Sequence, residues 1–249
     1  MRLFALLLLI GAAAAVPRGN GKIVGGHECE PHSKPWTASL NSGYHFCGAV
    51  LINEQWVVSV ANCGYKSYSV QIMLGDHNLR VSEGTEQLVK IANIFQHPWY
   101  DEQTLDYDIM LIKLFHPVEI NGYVKPIPLP TKCPTAGTLC SVAGWGSTVT
   151  GEEVNQAKRL QCLDVPVLDD DTCRKIYPGL VTRRIMCAGH MEGGRDVCVG
   201  DSGSGLECLG ELHGLVSMGR ECGHLGSPGV YVKVCEFLPW ISEIVKANM

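Results

Sequence analysis

An all-β chain folded as a barrel or a sandwich is what three features of the sequence predict. Short β-type runs recur, "SYSVQIML", "LCSVAGWG", "LHGLVSM" and "GVYVKV", separated by Gly, Pro, Asn and Asp turns. Helical spacing is confined to residues 235–249. Twelve cysteines, an even number, accompany an export signal and read as a disulfide framework. At 249 residues the chain is long enough for one large all-β domain or two small ones around a substantial core.

The N-terminus comes first. Met1-Arg2, the apolar stretch "LFALLLLIG" and the closing "AAAA" follow the order of a secretory signal peptide, with cleavage expected after Ala15. The apolar run falls short of the roughly 20 residues of a membrane span, and no later segment comes closer. A soluble, secreted, extracellular protein is expected, with no membrane partner. The formal charge is −5; losing Arg2 with residues 1–15 gives −6, and losing Arg18 and Lys22 as well gives −8. Without a basic stripe or a run of like charges, nucleic acid is excluded as a partner class. Zinc is the rival reading of the cysteines, but there is no CxxC pair or Cys/His cluster at ligand spacing. Spacing alone leaves the disulfide connectivity open. There is no fixed-period repeat, low-complexity tract or N-x-[ST] sequon. The C-terminal helix is expected to pack Phe237, Trp240, Ile241, Ile244 and Val245 on the domain, with Pro239 early enough to be tolerated.

The string "GDSGSG" at 200–205 would alone be an ordinary turn. It is accompanied, in order, by "KIVGG" at 22–26, "YHFCG" at 44–48, "WVVSVANC" at 56–63, "DIMLIKL" at 108–114, "AGWG" at 143–146 and "PGVYVKV" at 228–234. From about residue 22 to the C-terminus this set resembles the chymotrypsin-fold serine protease family, on its trypsinogen branch. The resemblance implies one functional unit over 23–249, built as two six-stranded antiparallel β-barrels with the site between them. It also implies the disulfides Cys29–Cys162, Cys47–Cys63, Cys133–Cys235, Cys140–Cys208, Cys173–Cys187 and Cys198–Cys222.

The same resemblance assigns roles. Ser202 matches the nucleophile, Asp108 the carboxylate that orients a histidine, and the N–H groups of Gly200 and Ser202 the oxyanion hole. Asn62 stands where the family has that histidine. A serine hydroxyl needs a neighbour that takes its proton and returns one to the leaving amine, and an amide does neither. None of the other histidines, His45 and His97 included, maps beside Ser202. Further departures cluster around the site: Ser204, Gly205, Met218, Val197, Val199 and Arg220. Asp196 matches the acid at the base of a pocket for Lys or Arg, Gly219 and Gly229 match its wall, and Glu221 falls on a glycine at its mouth.

Cutting after Lys22, at the end of a propeptide over 16–22, is implied to free the amine of Ile23 for pairing with Asp201, although "VPRGNGK" lacks the acidic run of trypsinogen propeptides. Asp76, Asn78, Val81, Glu83 and Glu86 match a structural calcium loop, an oxygen set of the kind that ion prefers. The reading expected from all this is a secreted, trypsinogen-like homologue that is not an enzyme. It would be a monomer holding a peptide, a protease inhibitor or a partner protease in the old cleft. The alternative is a trypsin-like endopeptidase of very low or substrate-assisted activity.

Overall fold

The structure is a computed structural model that describes residues 23–64, 70–147, 156–218 and 222–248. The expected signal peptide and propeptide, and the site positions Lys22, Gly219, Arg220 and Glu221, lie outside the described residues. Thirteen strands run in chain order: β1 (His27–Glu28), β2 (Thr37–Asn41), β3 (His45–Asn53), β4 (Trp56–Ser59), β5 (Gln71–Leu74), β6 (Gln87–Gln96), β7 (Met110–Leu114), β8 (Leu139–Gly144), β9 (Gln161–Pro166), β10 (Ile185–Ala188), β11 (Gly205–Cys208), β12 (Glu211–Met218) and β13 (Gly229–Lys233).

Strands β2-β3-β4-β7-β6-β5 form a closed barrel. Val50, Leu51, Ile72, Leu74, Leu111 and Ile112 have no exposed surface; adjacent pairs such as Val50 and Leu51 alternate across the strand, so the barrel is buried on its packed outer side as well as its interior. The other strands form a sheet in the order β1-β9-β8-β11-β12-β13-β10. Its last six strands curl until a bridge between Val167 and Ala188 joins β9 to β10, backed by Leu168 N–H to Cys187 O at 2.9 Å and Gly189 N–H to Pro166 O at 3.0 Å. Two six-stranded units therefore stand as expected, and the two-residue β1 adds a seventh strand on the outer edge of β9. Leu212, Leu215 and Val232 of the second unit belong to the first barrel's hydrophobic cluster, so the cores meet.

All six expected disulfides form with the expected partners. Cross-links of this kind stabilise by about 2 to 4 kcal/mol each, chiefly by restricting the unfolded chain. The C-terminal helical segment divides: a 3-10 turn at Val234–Phe237 precedes the helix α2 (Leu238–Ala247), with Pro239 in its first turn. Ile241 is buried, and Trp240, Ile244 and Val245 lean on the first barrel's core. A short helix α1 (Asp170–Ile176), capped by the Asp169 carboxylate accepting from Thr172 N–H at 2.8 Å, has no counterpart in the sequence reading. Its seven residues are too few for a periodic signal.

Candidate active site

The site assembles from the ends of strands in both units. Asn62 lies in a 3-10 turn at Ala61–Cys63, directly after β4, and is held against Cys47 through the Cys63 disulfide. Asp108 sits just before β7 and is 1% exposed. One of its oxygens accepts Asn62 N–H at 2.7 Å, while the other accepts Asn62 Nδ2–H at 2.7 Å and the Ser217 hydroxyl at 2.5 Å. Burial pushes the Asp108 carboxyl up to about 6, against the pull of those donors. Asn62 Nδ2 also donates to Ser217 O at 3.0 Å. The amide nitrogen therefore has both protons engaged, and the Asn62 side chain is fixed in an exposed position facing the cleft.

Ser202 shares that cleft, a cavity of about 400 Å³ walled by Phe46, Leu105, Val199 and Met218. No hydrogen bond of the Ser202 hydroxyl is found among the described residues. The loop around it is held tightly. Gly48 N–H of β3 donates to Ser202 O at 2.7 Å, and Gly203 N–H to Val216 O at 2.7 Å. Gly203 has φ +83° and leaves no room for a side chain, since a Cβ there would lie 2.2 Å from Gly48 O. The Gly200 and Ser202 N–H groups donate to no described backbone acceptor, which leaves both available for an incoming oxygen.

Gly200, at φ +95°, is also anchored from the first barrel. Its carbonyl can only accept, so His45 Nε2 carries the proton of their 3.0 Å bond, and His45 Nδ1 accepts from the Ser39 hydroxyl at 2.7 Å. Burial lowers His45 to about 4 and keeps it neutral in this tautomer. Gln156 Nε2 donates to His45 O at 2.7 Å. Sequence reasoning set His45 aside and missed Ser217 and Gln156. Ser217 lies inside the "LHGLVSM" run, where nothing in the pattern separates a functional hydroxyl from an ordinary strand serine.

Beneath the cleft, Asp196 is buried, with its carboxylate accepting Val197 N–H at 2.8 Å and Gly223 N–H at 3.2 Å. Burial raises it to about 6. Gly229 lies beside it, and a Cβ there would come within 3.2 Å of its Oδ1. Asp201 is wholly buried and raised to about 7 by burial, its carboxylate held by Gly146 N–H at 2.8 Å and Cys198 N–H at 2.9 Å. Ile23 is buried within the second unit's core. In the uncut chain its nitrogen is an amide, so the expected ion pair with Asp201 would require cleavage after Lys22. The buried Ser204 hydroxyl has no hydrogen-bond partner among the described residues.

On a separate loop, oxygens of Asp76, Glu83 and Glu86 come within 4.8 Å of one another. Asp76 Oδ1 is buried and has no hydrogen-bond partner among the described residues. Burial, with Glu83 and Glu86 nearby, raises that carboxyl to about 6. A buried acid crowded by two others, with an orphaned oxygen, fits a hard cation. Asn78 and Val81 lie on the turn between them, with Val81 N–H donating to Asn78 O at 2.9 Å.

A serine sharing a cleft with Asn62, which is bonded to a buried carboxylate, at the junction of two six-stranded β-units is the arrangement of the chymotrypsin-fold serine protease class. Residues 23–241 match the family model described as Trypsin. "Trypsin" of Pleuronectes platessa is 56% identical over 248 residues, covering 99% of each chain. "Serine protease 1" of Rattus norvegicus is 51% identical over 244 residues, 98% of each, and "Trypsin-1" of Salmo salar is 50% identical over 237 residues, 95% of this chain and 96% of that one. The chain belongs to the trypsin family. These relatives overturn the expectation that it is not an enzyme: chains named trypsin and serine protease match it at half identity or more over nearly its whole length. That expectation rested on Asn62 and on the departures clustered around it, Ser204, Gly205, Met218, Val197, Val199, Arg220 and Glu221. Among the described residues no helix is long and apolar enough to cross a membrane.

Proposed function

We propose that the chain is a secreted serine endopeptidase of the trypsin type that cleaves slowly, and that a histidine of the substrate beside the scissile bond accepts the proton residue 62 cannot. One observation carries this reading. The Ser202 hydroxyl faces the cleft without a hydrogen-bond partner among the described residues, while the Asn62 amide nitrogen spends its protons on Asp108 and on Ser217 O.

Ser202 Oγ adds to the scissile carbonyl carbon while its proton passes to the substrate imidazole. The carbonyl oxygen takes up negative charge between the Gly200 and Ser202 N–H groups. The C–N bond then breaks, and the imidazolium returns the proton to the departing amine. With that histidine on the acyl side, one residue before the Lys or Arg, the same imidazole remains in the acyl ester, takes a proton from the attacking water and returns it to Ser202 Oγ as the ester bond breaks. Asp196, at the base of the pocket, gives the site a preference for a Lys or Arg side chain. In a serine protease of the same constellation, losing the base alone costs about 10⁶ in turnover, or about 8 kcal/mol at 1.36 per decade. Binding and the oxyanion hole leave about 10³ to 10⁴ over the uncatalysed rate. Asp76, Glu83, Glu86 and the carbonyls of Asn78 and Val81 would hold calcium, whose charge would neutralise the crowded acids and stiffen their loop.

The test uses chain cut after Lys22 and two arginyl amide substrates differing only in whether the residue before the arginine is histidine. The histidine substrate should turn over at least about tenfold faster, and Ser202→Ala should abolish the difference. Equal rates with both substrates would refute the substrate-borne base.

A further inference from the structure

A second cleft, of about 490 Å³, shares no residue with the one around Ser202. It lies where the loop after β5 meets the approach to β9. Leu79 N–H donates to Lys158 O at 2.9 Å, and Asn78 and Arg159 form a β-bridge. These backbone ties bring together side chains remote in sequence: Arg80, Lys158 and Arg159 line the cleft with a single acid, Glu28. Three cations against one acid give +2, so the rest of the chain, at −5 in total, carries −7.

The acid is already engaged. Glu28 accepts from His77 Nε2 at 3.1 Å and from Arg159 Nη1 at 3.2 and 3.3 Å. Arg80 and Lys158 are exposed, and no partner for either side chain is found among the described residues. Nor does the neighbouring acid Glu83 compete for them: its carboxylate turns into its own loop, accepting His77 N–H at 2.7 Å and Asn78 N–H at 3.2 Å. The turn that carries Arg80 is itself fixed, with Arg80 N–H on Asn78 Oδ1 at 3.2 Å. Beside these cations Val81, 56% exposed, offers an apolar contact.

We propose that this cleft is a docking site for an acidic peptide segment, with carboxylates on Arg80 and Lys158 and an apolar side chain on Val81. The geometry favours a peptide over a long polyanion. The Arg80 guanidinium fork and the Lys158 ammonium suit carboxylates, the positive region is short, and the excess negative charge elsewhere repels any polyanion extending beyond it. A peptide held here would be a substrate or partner engaged at a distance from Ser202, so its binding is independent of the chemistry proposed for that residue.

The test is fluorescence anisotropy of a labelled Glu-Glu-Leu-Glu-Glu peptide with the full chain, first at about 20 mM salt, where screening is weak, then at about 150 mM, where the Debye length is about 8 Å. Wild type and Ser202→Ala should bind alike and saturably, about threefold more weakly at the higher salt. Binding should weaken at least about tenfold in Arg80→Glu, Lys158→Glu and stay unchanged in Lys90→Glu, an exposed cation elsewhere. A Gln-Gln-Leu-Gln-Gln peptide should not bind, a comparison that needs no variant to fold. Absence of binding at low salt, equal binding of the glutamine peptide, or equal binding by the double variant would overturn the proposal. So would binding of a heparin hexasaccharide without binding of the peptide, since the ligand would then be a sulfated glycan.

Discussion

Replacing Asn62 by histidine is the perturbation with the largest expected effect. Asp108 accepts Asn62 Nδ2–H at 2.7 Å, and the Ser217 hydroxyl already fixes that carboxylate from the other side. An imidazole at 62 would place Nδ1–H where the amide donates now, and its Nε2 would extend into the cleft beside the Ser202 hydroxyl. Restoring a base in such a constellation is worth up to about 10⁶ in turnover. The surroundings are not those of an ordinary trypsin-type site, because Met218 and Val199 wall the cleft and the Ser204 hydroxyl is buried without a hydrogen-bond partner among the described residues. Misplacement near 1 Å costs about 10², so a net gain of about 10⁴, or about 5 kcal/mol in barrier, is expected. The assay is hydrolysis of an arginyl amide lacking histidine, by cut wild type, Asn62→His, and Asn62→His carrying Ser202→Ala. The double variant exposes contaminating protease. Equal turnover by wild type and Asn62→His would refute the claim that a proton acceptor is what limits this site.

Three further outcomes follow from the geometry. His45 is held near 4 against an ordinary 6.5, so the unfolded chain binds its proton first; stability should fall as pH drops from 6.5 towards 4, by up to about 3 kcal/mol. Melting scans of His45→Gln should lack that share of the acid loss. Calcium should raise the melting temperature of the wild type, more at pH 8 than at pH 5 because Asp76 titrates near 6, and should do little for Glu83→Ala; an equal response in both would remove the ion from this loop. Gly203→Ala should lower stability by at least about 3 kcal/mol in denaturant titration, because its Cβ would meet Gly48 O at 2.2 Å and the Ser59 hydroxyl at 2.3 Å with φ at +83°.

The fold was legible for unequal reasons. Strands β8, β12 and β13 coincide with runs visible as such, because turn residues bound them. The six disulfide pairs came only from the family resemblance; Cys29 and Cys162 are 133 residues apart and nothing local joins them. In the site, Ser202, Asp108 and Asn62 were readable from their motifs. His45 and Ser217 act by holding the carbonyl of Gly200 and the carboxylate of Asp108, roles created by packing one barrel against the other. Arg80 and Lys158 stayed invisible as a pair for the same reason: the sequence shows no basic stripe, and a β-bridge makes one.

Asparagine at 62 is the residue that separates the two halves of a histidine's work. The Asp108 carboxylate is nearly inaccessible to water, and burial already drives it up to about 6. A residue without a side-chain donor would leave it with the Ser217 hydroxyl and the backbone N–H groups of Asn62 and Ala61, and a buried acceptor that loses a partner costs about 1 to 3 kcal/mol. The Asn62 amide avoids that loss, since its Nδ2–H serves Asp108 at the same 2.7 Å as the backbone N–H. What an amide cannot reproduce is the second ring nitrogen, the basic lone pair facing the serine. The substitution therefore leaves Asp108 satisfied and Ser202 supported by its loop, and removes one proton acceptor and little else. On the proposed reading an acceptor supplied by the substrate would fill that one gap, and an imidazole returned to position 62 should fill it in part.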